Sequence, residues 1–217
     1  MSRRPRIALA DATVMITGAS GGIGHAIARA LAQQGARLLL TGRQRGALEQ
    51  LATELGARAL VADLAHRADV QRLSSAALEA KVDVLVANAG MPASGELYDL
   101  SAAEVDRMLD VNLRAPIALA HRLAPAMAGR GRGQLVFVSS LSGQVASPAS
   151  PMYSATKFGL RGFALGLRED LRSHGVGVSL VAPGFIRDAG MYADAGVKLP
   201  PGVATRSPQG VATAVMR

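Results

Sequence analysis

The chain has 217 residues and a formal net charge of +8, from 24 Lys and Arg against 16 Asp and Glu. With 49% hydrophobic and 18% charged residues, it can bury a core, and wholesale disorder is excluded. The absence of cysteine excludes disulfides and thiolate chemistry and is consistent with a reducing compartment. Charges, glycines or prolines interrupt every apolar stretch, so we predict no transmembrane helix and expect a cytoplasmic protein.

The positive charge requires an anionic partner to be considered. The densest basic segments are at the N-terminus, with Arg3, Arg4 and Arg6, and in mid-chain, with Arg130 and Arg132. Aromatic residues make up only 3% of the chain, so the stacking platforms of single-strand binders are absent. A solvated surface or a phosphorylated cofactor is therefore favoured over nucleic acid, which stays a minor alternative.

Strand and helix patterns alternate along the chain without an internal repeat or long linker, which predicts one domain. Predicted strands cover residues 12–17, 36–41, 57–62, 82–87, 134–139 and 177–182, and predicted helices cover 23–34, 44–55, 68–80 and 153–173. A further long helix begins near Ser101, where the spacing to Glu104 forms a capping box. Apolar strands that alternate with helices predict an α/β fold: a doubly wound parallel sheet of Rossmann type in a three-layer sandwich.

Such sheets bind ligands beyond the carboxyl ends of their strands. A glycine-rich loop, Thr17 to Gly24, directly follows the first strand and precedes a helix. Glycines at Gly18, Gly22 and Gly24 permit a tight turn and the close approach of a pyrophosphate to the backbone, while the helix N-terminus favours anions. The loop therefore predicts a dinucleotide site.

Further motifs follow later strands in order: Asn88-Ala89-Gly90, Asn112, Ser140, Tyr153-Ser-Ala-Thr-Lys157 and Pro183-Gly184. Together with the glycine loop, this series from Thr13 to about Gly184 resembles the short-chain dehydrogenase/reductase family. The resemblance implies an oxidoreductase that interconverts a carbonyl and an alcohol by hydride transfer. A cofactor-binding regulatory or scaffold protein without turnover is the alternative.

The resemblance implies that Asn112, Ser140, Tyr153 and Lys157 are catalytic. Tyr153 and Lys157 share one helix face, so we expect the ammonium to lower the pKa of the phenol, which then exchanges a proton with the substrate oxygen. Ser140 is implied to hydrogen-bond the same oxygen. Pro116 has no N–H for the carbonyl of Asn112, so we expect that oxygen to be free. The resemblance implies that it holds a water linked to the lysine.

NADP(H) is the predicted cofactor, and NAD(H) is less favoured. NAD-preferring members carry an acidic residue after the second strand, whereas this chain has Gly42, followed by Arg43, which can bind a 2′-phosphate. Asn88 is expected to brace the sheet, and Asp188 stands where the family often has threonine, which leaves the Ile186 backbone for the carboxamide. The implied cofactor contacts are Gly18, Ser20, Gly22, Ile23, Gly24, Arg43, Asp63, Leu64, Asn88, Ala89, Gly90, Tyr153, Lys157, Pro183, Gly184 and Ile186.

Residues 185–208 are rich in glycine and proline and predict a substrate lid. The expected pocket is apolar, for a ketone, aldehyde or secondary alcohol, and is lined by Met91, Ala93, Leu141, Val145, Phe185, Met191 and Tyr192. The four histidines have no metal-ligand spacing, so we predict no metal. By analogy with the family we expect a homodimer or homotetramer.

The predicted fold covers residues 1–217 but lacks the last strand that relatives of this family have. A helix begins near Ser207 and stops at Arg217 without a following strand. We therefore expect either a truncated C-terminus or a sheet that ends at six strands with an exposed edge.

Overall fold

A parallel six-stranded sheet forms the centre of the fold. The computed structural model describes residues 7–92, 96–146, 148–187 and 205–217. The sheet has the strand order β3-β2-β1-β4-β5-β6, which confirms the predicted doubly wound topology. The strands are β1 Thr13–Thr17, β2 Arg37–Gly42, β3 Arg58–Val61, β4 Val84–Ala87, β5 Gly133–Val138 and β6 Val176–Val181.

Helices cover both faces of this sheet. They are α1 Gly22–Gln33, α2 Arg45–Leu55, α3 Arg67–Glu79, α4 Ala102–Leu109, α5 Ala115–Gly129, α6 Pro151–Asp170 and α7 Pro208–Val215. Alternate strand residues enter two cores: Met15 and Phe137 pack with α3, α5 and α6, whereas Ile16 and Leu40 pack with α1, α2 and α7. The strands are continuously apolar because both of their faces are buried.

The helix predicted to run on from Ser101 is two helices, α4 and α5, joined by a π turn at Asp110–Arg114. Its start is as predicted: the Ser101 hydroxyl accepts the N–H of Glu104 at 3.3 Å, and the Glu104 carboxylate accepts the N–H of Ser101 at 2.8 Å. The break has a local cause, because Pro116 lacks the N–H that a continuous α-helix would give to Asn112.

Two further strands were not predicted, since each has only two residues. β7 Phe185–Ile186 pairs in parallel with β8 Thr205–Arg206. The predicted lid, residues 185–208, is thus described only at its two ends. Asp188, Met191 and Tyr192 lie outside the described residues.

The strand order locates the ligand site. Chain order reverses at β1, which lies between β2 and β4. The loops after β1 and β4 leave opposite faces of the sheet and open a crevice between them. The glycine loop follows β1, and the Asn88 motif follows β4, so both meet at this crevice.

Candidate functional site

A cavity of about 530 Å³ lies at the carboxyl ends of β1 to β4. It brings together eleven of the predicted cofactor residues: Gly18, Ser20, Gly22, Ile23, Gly24, Arg43, Asp63, Leu64, Asn88, Ala89 and Gly90. The sequence did not single out five other lining residues, Thr41, Gln44, Ala62, Pro92 and Val111. These five residues belong to none of the motifs in the sequence, and only the strand order brings them to the cavity. We call this space the nucleotide cavity.

Two glycines make the loop possible because a side chain would not fit. Gly18 has a φ of +67°, and a Cβ there would lie 2.8 Å from the Cα of Ala89. A Cβ on Gly24 would lie 2.1 Å from the carbonyl oxygen of Gly18. The first turn of α1 thus packs directly against the loop backbone and leaves its N–H groups for an anionic ligand, as a pyrophosphate requires.

Asn88 braces the glycine loop, as predicted. Its Nδ2 donates to the carbonyl oxygens of Thr17 at 3.1 Å and Gly18 at 3.3 Å. The Thr17 hydroxyl, which the sequence did not point to, accepts the backbone N–H groups of Asn88 at 3.1 Å and Ala89 at 3.0 Å. The ends of β1 and β4 are therefore bonded to each other in both directions beneath the cavity.

The rim beyond β2 is open and positively charged. A Cβ on Gly42 would meet the Ser20 hydroxyl at 2.6 Å, so a side chain at this position requires Ser20 to turn away. Arg43 and Gln44 follow, both exposed and both lining the nucleotide cavity. The rim thus carries a guanidinium where the sequence predicts the 2′-phosphate.

Asp63 lines the cavity, but its carboxylate already has partners. Oδ1 accepts the N–H of Ala65 at 3.0 Å, and Oδ2 accepts Nη2 of Arg107 at 2.6 Å. Burial raises the pKa of Asp63. This effect is outweighed by the hydrogen bonds from Arg107 and Ala65 and by the charges of Arg107 and Arg43, so the pKa of Asp63 lies below its usual value. The residue is a carboxylate at neutral pH.

The predicted acid–base residues meet at the end of β5. Ser140 hydrogen-bonds the Tyr153 side chain and accepts the N–H of Ser142 at 3.1 Å. The Nζ of Lys157 lies 5.5 Å from the centre of the Tyr153 ring and donates to the carbonyl oxygen of Val138 at 3.1 Å. Ser140, at the end of β5, thus forms one polar group with Tyr153 and Lys157 of α6.

The expected effect of Lys157 on Tyr153 is wrong for this structure. Burial raises the pKa of Tyr153, and the hydrogen bond with Ser140 only partly offsets this. Burial also lowers the pKa of Lys157 to about 8. The prediction considered the attraction between the two charged forms, whereas the structure buries both groups and penalises both charges. Tyr153 is therefore a neutral phenol at neutral pH.

The side chain of Asn112 makes hydrogen bonds that were not predicted from the sequence. Its Oδ1 accepts the N–H of Met91 at 2.8 Å, and its Nδ2 donates to the carbonyl of Met91 at 2.9 Å. Nδ2 also lies 3.4 Å from the Thr156 hydroxyl, which donates to the carbonyl of Tyr153 at 2.8 Å. The π turn thereby links the loop after β4 to the first turns of α6.

The remaining predicted contacts are not among the residues that line the nucleotide cavity. The carbonyl of Pro183 accepts the N–H of Leu141 at 2.9 Å, and the Leu141 side chain packs over Gly184. Ile186 is buried in β7. Residues after Ser140 and β6 therefore form a second wall beside Ser140, on the β5 and β6 side of the sheet.

Apolar side chains are exposed on this second wall. Leu141, Val145 and Phe185 are exposed by 48%, 70% and 38%. Met91 lines the nucleotide cavity, and Ala93 lies outside the described residues. Of the residues predicted to line a substrate pocket, those on this second wall are therefore apolar and exposed.

None of the described helices combines the length and apolar character needed to cross a bilayer. Within the same part of the chain, no three His, Asp or Glu residues are grouped as metal ligands.

The fold and the nucleotide cavity together define a dinucleotide-binding protein of the Rossmann type. The family model for short chain dehydrogenase matches residues 12–198. The chain belongs to the short-chain dehydrogenase/reductase family and is an oxidoreductase of that family.

Known proteins are similar to this chain over most of its length. Nodulation protein G of Rhizobium meliloti is 41% identical and covers 81% of this chain and 73% of its own length. Ketoacyl reductase HetN of Nostoc sp. is 34% identical over 96% of this chain and 75% of its own. The structure of a short-chain dehydrogenase from Sphingobium yanoikuyae in complex with NADPH has a TM-score of 0.87 at 31% identity, covering 94% of this chain and 83% of that one.

Proposed function

We propose that this protein is an NADP(H)-dependent oxidoreductase that interconverts a carbonyl and an alcohol. One observation carries the proposal: Ser140 hydrogen-bonds Tyr153, with the Nζ of Lys157 5.5 Å from the tyrosine ring, beside a nucleotide cavity. Proton transfer at a substrate oxygen needs such a group within reach of a hydride-carrying cofactor.

The choice of NADP(H) is supported by the rim beyond β2. Gly42 places no carboxylate there, and the exposed Arg43 can make a charge-assisted contact with a 2′-phosphate. The similar Sphingobium dehydrogenase was solved with NADPH. The glycine loop would hold the pyrophosphate, Asp63 and Leu64 the adenine, and Asn88, Ala89, Gly90, Pro183, Gly184 and Ile186 the nicotinamide half. When bound, the cofactor supplies or accepts the hydride.

In the reduction direction, Tyr153 gives its proton to the carbonyl oxygen of the substrate. Its pKa is raised by burial, so the phenol is protonated and ready to donate at neutral pH. Ser140 donates a hydrogen bond to the same oxygen and stabilises the charge that develops on it. Lys157, with a pKa of about 8, is mostly an ammonium at neutral pH. Its charge stabilises the tyrosinate that forms, and the main-chain carbonyl of Asn112 completes the proton relay to water.

The substrate that we propose is an apolar ketone, aldehyde or secondary alcohol. The exposed apolar side chains Leu141, Val145 and Phe185 belong to the segments that follow Ser140 and β6 and would contact such a molecule. HetN, a similar protein, is named a ketoacyl reductase, which is consistent with reduction of a carbonyl.

We further propose that the protein assembles as a homodimer or homotetramer. Phe158 and Leu165 are exposed by 42% and 44% on α6, and exposed apolar residues on one helix favour contact with another subunit. Light scattering across a concentration series tests this. A monomer at every concentration contradicts it.

The Tyr153→Phe variant tests the catalytic proposal. The protein is assayed with a panel of carbonyl compounds and NADPH, and Tyr98→Phe is the matched control because Tyr98 is 81% exposed. We expect Tyr153→Phe to lose about 10²- to 10⁴-fold in kcat, the usual contribution of a general acid, and Tyr98→Phe to keep full activity. Equal NADPH consumption by wild type and Tyr153→Phe with every carbonyl would favour the silent cofactor-binding alternative.

A further inference from the structure

The charges in the nucleotide cavity cancel. Among the described residues that line it, two carry charges, Arg43 and Asp63, and their signs are opposite. A cavity for a 2′-phosphorylated nucleotide needs net positive charge at this end, because a lone carboxylate repels the phosphate and attracts the guanidinium meant for it. A positive charge from a residue that does not line the cavity must therefore compensate the negative charge of Asp63.

Arg107 is placed to do so. It lies in the last turn of α4, and its Nη2 is 2.6 Å from the Oδ2 of Asp63. The two side chains are only 33% and 22% exposed, so water screens this pair less than a surface ion pair. The pair links positions 44 residues apart, which is why the sequence did not reveal it.

The guanidinium of Arg43 remains available to a ligand. Its side chain is exposed, and within the described part of the chain no hydrogen bond or ion pair holds its guanidinium. Asp63 is near enough to Arg43 for the two charges to interact. The Asp63 carboxylate thus interacts with two guanidiniums and pairs directly with Arg107, which does not line the cavity.

We propose that Arg107 is a positioning residue that sets the preference for NADP(H) over NAD(H). By pairing with Asp63, it keeps Arg43 free for the 2′-phosphate and cancels the repulsion between the Asp63 carboxylate and that phosphate. This inference rests on the proposed NADP(H) dependence. It concerns only the 2′-phosphate, because both cofactors share the adenine and the pyrophosphate.

The Arg107→Gln variant should therefore lose affinity selectively. Without Arg107, the Asp63 carboxylate keeps the N–H of Ala65 but loses its cationic partner, so it can capture Arg43 and repels the 2′-phosphate. We expect the preference for the phosphorylated nucleotide to fall about three- to tenfold, the scale of a partly buried ion pair. Arg107→Lys keeps the charge and should keep most of the preference.

Isothermal titration with two fragments measures this without turnover. The ratio of the Kd for 5′-AMP to the Kd for 2′,5′-ADP is determined for the wild type, Arg107→Gln and the double variant Arg107→Gln/Asp63→Asn. In the double variant the uncompensated carboxylate is gone, so the ratio should return toward the wild-type value. Melting temperatures confirm that each variant is folded.

Arg114→Gln is the matched control. Arg114 belongs to the π turn that follows α4, and its Nη2 donates to the carbonyl of Ala65 at 3.2 Å. It therefore holds the same loop but does not touch Asp63. We expect this variant to leave the Kd ratio unchanged even if its melting temperature falls.

Three outcomes with the variants overturn the inference. They are an unchanged ratio in Arg107→Gln, an equal fall in Arg114→Gln, and a double variant that does not recover, because each points to a general disturbance of the loop. A wild-type protein that binds 5′-AMP as tightly as 2′,5′-ADP refutes the NADP(H) preference itself and this inference with it. A strong wild-type preference that survives Arg107→Gln refutes the inference alone.

Discussion

Gly24→Ala should weaken nucleotide binding through a single methyl group. The Cβ that this substitution adds would lie 2.1 Å from the carbonyl oxygen of Gly18 and 2.8 Å from the Cα of Ala19. Both obstacles are backbone atoms, so no side-chain rotation relieves the clash. The shorter distance must open from 2.1 Å by at least 0.9 Å to reach the 3.0 Å below which real Cβ contacts essentially never fall.

This displacement sets the expected loss of stability and of nucleotide affinity. Overpacking of a tightly packed site costs about 1 to 3 kcal/mol in free energy of unfolding, and we expect Gly24→Ala to lie in the upper half of that range. Binding should suffer more, because moving α1 away from Gly18 removes its N–H groups from the pyrophosphate position. A rise of about tenfold or more in the Kd for 2′,5′-ADP follows from the loss of one charge-assisted hydrogen bond.

Two other glycines provide matched controls. In Gly21→Ala, the Cβ would meet only the carbonyl oxygen of Gly18, at 3.6 Å, and in Gly46→Ala it would meet nothing within 4 Å. Gly21→Ala should bind nearly as well as wild type. Gly46→Ala lies in α2 and should be neutral or stabilise by up to about 1 kcal/mol, the helix preference of alanine over glycine.

Urea denaturation and titration with 2′,5′-ADP measure both quantities for the three variants. If Gly24→Ala matched Gly21→Ala in stability and in Kd, the helix would not need to approach the loop as closely as the structure places it. The steric argument for the glycine loop would then be refuted.

Three further predictions concern other parts of the site. Thr17→Val leaves the N–H of Ala89 without its acceptor and should cost about 1 to 3 kcal/mol in urea denaturation, whereas an unchanged midpoint would show that this bond is dispensable. Burial lowers the pKa of Lys157 from 10.5 to about 8, so between these values the unfolded chain binds more protons and the stability due to Lys157 rises with pH. The free energy of unfolding of wild type minus that of Lys157→Met should therefore increase by roughly 2 to 3 kcal/mol from pH 8 to pH 10, and a flat difference contradicts the burial of the ammonium. Gly42→Asp should lower the ratio of kcat/KM for NADPH to that for NADH about tenfold, with Gly42→Ala as the steric control, and an equal effect of both variants would exclude a role for charge.

Much of the fold was predictable because it depends on local pattern. Continuous apolar strands separated by helical patterns require a parallel sheet with both faces covered, and the observed strand order agrees. The capping box at Ser101 and the glycine loop were also predictable, since both act over a few residues. The two-residue strands β7 and β8 were not, because their pairing depends on residues about 20 positions apart, with no local signal.

The candidate site likewise has parts that local sequence predicts and parts that it does not. Tyr153 and Lys157 could be placed on one helix face by their spacing, and the resemblance to the family pointed to Ser140. Their proton affinities could not be predicted, because the pKa of Tyr153 depends on how deeply the fold buries it, and that burial reverses the expected direction. The hydroxyl of Thr17 likewise acquires its role only when β4 lies beside β1.

The amino-acid sequence alone determined the layered architecture, the glycine loop and the identity of the polar residues at the strand ends. These follow from side-chain periodicity and from backbone freedom, which are properties of neighbouring residues. Only the tertiary structure decided which charges compensate each other, since it brings Arg107 in α4 to Asp63 after β3, 44 residues away in the sequence. Electrostatic interactions and burial depend on distance in space, and the chain acquires those distances only by folding.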